Sequence, residues 1–93
     1  MLTTAVETVT IGNELGLHAR PAAQLVHIAN SFKSSLKLRR QDMPGEADCS
    51  SVLSLLMLAA AKGAILEVSA SGEDAPEAVQ AVVDYFNANF NEN

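Results

Sequence analysis

The sequence predicts a small two-layer α+β domain, with helices covering one side of a single sheet and water facing the other. Three observations predict it. Val- and Thr-rich or alternating runs at 4–11, 35–41, 47–49 and 65–70 have the period of strands. Three other segments carry apolar residues at helical spacing, and strands and helices succeed one another as βαββαβα. Finally, 93 residues, 48% of them hydrophobic, are enough for one core and too few for a second, so residues 1–93 read as a single domain.

The first strand, 4–11, places Val9 and Ile11 inward. The turn-rich run Gly12-Asn13-Glu14-Leu15-Gly16 then delivers the chain to His18. From about Ala19 to Asn30 the period becomes helical, with Ala22, Leu25, Val26, Ala29 and Phe32 on one stripe. Residues 35–41 alternate, Leu36 and Leu38 against Lys37 and Arg39, as a half-exposed strand does. Asp42-Met43-Pro44-Gly45-Glu46 is turn chemistry, and 47–49 is a short return strand.

Ser50 and Ser51 are both candidate N-caps for an apolar helix over 52–61, closed by the cation Lys62 and by Gly63. The next strand, 65–70, turns Leu66, Val68 and Ala70 inward. Asp74 has the right chemistry to cap the last helix, with Pro76 tolerated in its first turn and Glu77 three residues on. Ala78, Val79, Val82, Phe86 and Phe90 form that helix's apolar face. The polar stretch 87–93 is expected to fray.

The chemistry lies in His18-Ala19-Arg20-Pro21. His18 falls at or just outside a helix N-terminus, where unpaired backbone N–H groups and the positive end of the helix dipole face outward. That is an anion cradle. Arg20 adds a planar fork suited to phosphate oxygens, and the backbone N–H groups of Ala19 and Arg20 can hold equatorial oxygens while Pro21, which has none, fixes the first turn. Neutral imidazole is a good nucleophile, and histidine in general titrates at about 6.5. A nucleophile beside an oxyanion cradle suggests phosphoryl chemistry on His18, although alone His-x-Arg-Pro also describes an ordinary exposed helix start.

Charge and composition exclude several classes. The net charge is −5, too acidic for a phosphate-backbone polymer, so no nucleic-acid partner is expected. All six Lys and Arg lie within residues 1–62, and from Gly63 onward there are six acidic residues and no basic one. That asymmetry predicts a basic region around His18 that steers an acidic protein partner. Cys49 is the sole cysteine, which fits a reducing cytoplasm and a small buried apolar role. No signal-like start is present, and the apolar run 55–61 is too short to span a membrane. No metal site is expected, because His27 stands nine residues from His18, outside a paired-ligand spacing.

Gly16-Leu17-His18-Ala19-Arg20-Pro21-Ala22 resembles the phosphorylation-site signature of HPr, the histidine-containing phosphocarrier of the bacterial phosphotransferase system. Ser51-Val52-Leu53 through Lys62-Gly63 is similar to that family's regulatory-serine helix, and Val68-Ser69-Ala70-Ser71-Gly72-Glu73-Asp74 to its last strand and turn. The three blocks stand in the family's order over about the whole chain.

The resemblance implies an open-faced β-sandwich, a four-stranded antiparallel sheet covered on one face by three helices. It implies that His18, through Nδ1, takes a phosphoryl group from phosphorylated enzyme I and passes it to enzyme IIA domains without a cofactor. It also implies a kinase-modified regulatory serine at Ser51, with a serine kinase/phosphorylase as a further partner. A docking surface is implied that includes Leu17, Gln24, His27, Leu53 and Leu56. Three departures stand out: Ser50 where lysine is common, Leu53-Ser54-Leu55 in place of a glycine-containing run, and a longer turn around Pro44. A second class of function stays open, a regulatory adaptor whose phosphorylation state selects its partners.

Overall fold

The computed structural model describes residues 3–92. Strand β1 (Thr3–Thr10) pairs antiparallel with β4 (Ile65–Gly72), β4 with β2 (Ser35–Arg40), and β2 with the two-residue β3 (Ala47–Asp48). The sheet order is therefore β1-β4-β2-β3. Helices α1 (Ala19–Asn30), α2 (Val52–Met57) and α3 (Ala75–Asn87) complete the expected four-stranded antiparallel open-faced sandwich.

The alternation read in the sequence sets the registers. Leu38 lies opposite Val68, Leu36 opposite Ala70, and Val9 opposite Leu66, and all six side chains are buried. Their neighbours Lys37, Arg39, Glu67 and Ser69 take the other face, because successive strand side chains point to opposite sides. Ala22, Leu25 and Ala29 of α1, Leu55 of α2, and Ala78, Val79, Val82 and Phe86 of α3 close the core. Cys49 is fully buried among them, and burial pushes its thiol up to about 12, so it behaves as a small apolar side chain.

Several expectations need correction. The second helix stops at Met57, four residues short of Ala61. The N–H groups of Leu58 and Ala59 bond back to Leu55 and Leu56 in a tightening turn, and Ala59 takes φ 49°, which ends the helix. The segment beyond it pins the site loop: the Leu17 N–H donates to the Ala60 carbonyl (2.9 Å), the Gly63 N–H to Ile11 (2.8 Å), and the Ile11 N–H to Ala64 (3.0 Å). Lys62 bonds Glu14 instead of serving as a helix-end cation.

Asp74 holds the N-cap position of α3 but its side chain makes no cap bond. It accepts from the Ser34 hydroxyl (2.6 Å) and from the N–H groups of Ser34 and Lys33 (both 2.9 Å), tying the α1–β2 turn to the start of α3. Those bonds, the Ser34 hydroxyl first, hold its carboxyl below the usual carboxylate range. Ser51 caps α2 as expected, accepting from the Ser54 N–H (3.2 Å), whereas Ser50 bonds Asp48.

The polar end does not fray over the described residues. After α3, a 3₁₀ turn, η1 (Asn89–Asn91), brings Phe90 back into the core. Its ring lies 4.8 Å from that of Phe86 and 5.1 Å from that of Tyr85. Asn89, Phe90 and Asn91 all have positive φ (52°, 56° and 59°); asparagine tolerates that conformation, whereas at Phe90 it costs roughly 1–2 kcal/mol and is maintained by the aromatic burial. Phe90 is thus not on the α3 stripe, and its anchoring keeps Glu92 in place. Asn93 lies outside the described residues.

Gly16 is the glycine the site loop depends on. Its φ is +66°, and a Cβ there would stand 2.6 Å from the Ala60 carbonyl oxygen. Gly16→Ala should therefore cost roughly 2–3 kcal/mol in a urea titration, combining left-handed strain with a backbone clash. A variant within about 0.5 kcal/mol of the parent would contradict that placement.

Candidate functional site

His18 is the N-cap of α1, in extended conformation (φ −97°, ψ −170°). Its carbonyl accepts the Ala22 N–H (3.1 Å) and its own N–H donates to the Gly16 carbonyl (3.1 Å), so the residue is clamped on both sides. Its side chain makes no cap bond, and the imidazole is 31% exposed. Ala19 and Arg20 begin the first turn, where N–H groups lack intrahelical acceptors. Pro21 behind them is buried and carries no N–H. The helix start expected from the sequence is therefore in place, with Ala19 and Arg20 in its first turn.

A carboxylate sits against it. Glu92 Oε2 accepts from Arg20 Nη2 and bonds His18 Nε2, both at 2.7 Å, and Glu92 Oε1 accepts from Asn13 Nδ2 at 2.8 Å. The Glu92 side chain is only 10% exposed, and the Arg20 guanidinium first, then the Asn13 amide and His18, hold its carboxyl at about 2. Asn13 is buried, and its Nδ2 also donates to the Gly16 carbonyl (3.0 Å). Turning that amide over would set its oxygen against two acceptors, so its orientation is fixed. Its Oδ1 is buried without a partner among the described residues, a cost that the two bonds from Nδ2 offset.

Sequence reasoning missed Asn13 and Glu92. A usable signal existed: Phe86 and Phe90, four residues apart, continue an apolar pattern into the polar tail, with a lone Glu just beyond.

The expected docking residues divide. Gln24 and His27 are exposed on α1, and Leu53 (69%) and Leu56 (37%) on α2, beside Met57 (73%). Leu17 does not belong with them. Its side chain is buried at 5% exposure, because its backbone bond to Ala60 turns it into the core.

The expected basic region is also absent as such. Every Lys and Arg among the described residues has a carboxylate within 4.0 Å: Arg20–Glu92, Lys33–Glu73, Lys37–Asp48, Arg39–Glu67, Arg40–Asp42 and Lys62–Glu14. What α2 and the site loop offer instead is apolar, including Leu15 at 71% exposure. Among the described residues no helix is long and apolar enough to cross a membrane.

The His18 imidazole thus stands at a helix start, with the Arg20 guanidinium two residues on and an open antiparallel sheet behind them. The family described as "PTS HPr component phosphorylation site" matches residues 5–88. The chain is 45% identical over 89 residues to phosphocarrier protein NPr of Escherichia coli K12, covering 96% of this chain and 98% of that protein. It is 37% identical over 86 residues to phosphocarrier protein HPr of Neisseria meningitidis, covering 92% and 94%. A crystal structure of HPr from Thermoanaerobacter tengcongensis superposes with a TM-score of 0.87 at 32% identity, covering 96% of this chain and 98% of that one. The chain belongs to the HPr family of phosphotransferase-system phosphocarriers.

Proposed function

We propose that His18 is the phosphoryl acceptor and donor of this chain, loaded by phosphorylated enzyme I and discharged to an enzyme IIA domain. The observation that carries this reading is the placement of the His18 imidazole, 31% exposed at the N-cap of α1 and sharing Glu92 Oε2 with the Arg20 guanidinium. Phosphoryl transfer needs in-line positioning and stabilisation of charge on the equatorial oxygens more than covalent help. The N–H groups of Ala19 and Arg20 serve one side of that charge, and the helix dipole adds to it. Arg20 is 66% exposed and engages Glu92 through Nη2, so its remaining donors can meet phosphoryl oxygens.

Partners dock on the exposed faces of α1 and α2, around Gln24, His27, Leu53, Leu56 and Met57. Apolar contact supplies the affinity there, since the cations are already paired.

A second reading, a regulatory branch of the nitrogen type, is favoured by the 45% identity to a protein named NPr. A serine-phosphorylated co-regulator is the other form of that adaptor reading, and in it Ser51 is the regulatory position. Its hydroxyl already caps α2, and a phosphate there would keep the cap while adding charge that repels an acidic partner. Loading the protein from enzyme I and phosphoenolpyruvate, then offering a sugar-branch or a nitrogen-branch IIA domain, separates the readings. Discharge to either supports the carrier reading and assigns the branch; a protein that never loads contradicts it.

A further inference from the structure

We propose that Glu92 is a positioning residue for phosphoryl transfer, its carboxylate accepting the Nε2–H of His18 and so leaving the Nδ1 lone pair as the nucleophile. The inference rests on the carrier reading and goes beyond it by giving the tail a role in the chemistry. Glu92 lies 2.7 Å from Nε2 and is held at about 2, hence ionised at any working pH. An ionised carboxylate has no proton to give, so the hydrogen in that contact belongs to the ring. The imidazole is thereby fixed in one tautomer and one orientation. Among the described residues Nδ1 makes no hydrogen bond.

The transfer balances without moving a proton. The Nδ1 lone pair forms the bond to phosphorus while the bond from phosphorus to the donor breaks, its electron pair leaving with the donor. The ring, now carrying phosphorus on Nδ1 and hydrogen on Nε2, gains a positive charge that lies against Glu92. In the discharge step the Nδ1–P electron pair returns to the ring, which is again neutral and still protonated on Nε2. A carboxylate on Nε2 therefore stabilises the charged ring in both directions, as a carboxylate does behind a histidine base.

The surroundings hold Glu92 for this task. Asn13 occupies its second oxygen, and the left-handed turn Asn89–Asn91, anchored by Phe90, delivers it across 74 residues of sequence separation. Gly12 makes room for that turn, since a Cβ there would stand 2.4 Å from Asn89 Oδ1. A strained turn kept in the fold beside a reactive group is where a functional constraint is expected.

The test pairs a spectrum with a rate. In the ¹⁵N-labelled protein at pH 8.5, the neutral His18 ring should be predominantly protonated on Nε2, and Glu92→Gln should erode that preference. With enzyme I and phosphoenolpyruvate, Glu92→Gln should load about tenfold more slowly, the change expected when a charge-assisted hydrogen bond becomes a neutral one. A His18 protonated mainly on Nδ1 in the parent protein would overturn the proposal whatever the variant does. An unchanged or faster loading rate in Glu92→Gln would overturn it too, faster loading being the mark of a carboxylate that merely blocks the cradle. A parent protein that never loads removes the carrier reading; one that loads, with Glu92→Gln at the same rate, removes only the role of Glu92.

Discussion

Phe90→Ala should lower stability by about 3 kcal/mol and slow phosphoryl loading in the same protein. Truncating a fully buried phenylalanine ordinarily costs about 3–5 kcal/mol, and here two aromatic contacts at 4.8 and 5.1 Å go with it. The low end of the range applies because the left-handed turn that Phe90 belongs to can then relax, recovering part of the loss. The functional effect follows from geometry. With its anchor gone the turn no longer holds Glu92, and His18 loses the acceptor on Nε2 although neither residue has changed. Urea unfolding and loading kinetics on one preparation test both halves. A loss below about 1 kcal/mol would show that the tail is not anchored as described.

Arg20→Ala should leave the fold intact and slow transfer by roughly 30- to 1,000-fold. Removing a preorganised donor to a developing oxyanion costs about 2–4 kcal/mol of transition-state stabilisation, and each 1.4 kcal/mol is a factor of ten. Stability should hold to within about 1 kcal/mol because Arg20 is 66% exposed, and water around the guanidinium screens its contact with the 10%-exposed Glu92. Glu92 keeps two of its three partners, Asn13 and His18. Rapid-quench transfer rates and a thermal melt separate the two effects. An unchanged rate removes Arg20 from the phosphate site.

The two variants divide the candidate site into the helix start that carries His18 and Arg20 and the tail that reaches back to it, and the sequence disclosed only the first. His18, Arg20 and Pro21 are read locally, because a helix start is built from consecutive residues. The strands were equally legible, since Leu36, Leu38, Leu66 and Val68 carry the alternation that fixes the buried face. Contacts between distant segments left weaker traces. The Glu92 contact spans 74 residues and depends on a left-handed conformation at Phe90 that no local pattern announces. Helix α2 was overextended because its apolar run continues past Met57, while the backbone there is spent on pinning Leu17, Ile11 and the site loop. Asp74 looked like a cap because its chemistry suits one, but the N–H groups of Lys33 and Ser34 and the Ser34 hydroxyl claimed it. In each case a tertiary contact, a hydrogen bond or the burial of Phe90, overrode a sound local preference.

Incubating the parent protein and His18→Ala with enzyme I and phosphoenolpyruvate, then mapping any phosphate by acid lability and peptide mass, tests the central claim most directly. The account predicts one acid-labile phosphoryl group on His18 in the parent and none in His18→Ala, with both proteins equally folded. An adduct that survives the substitution, or one that is stable to acid, would contradict it.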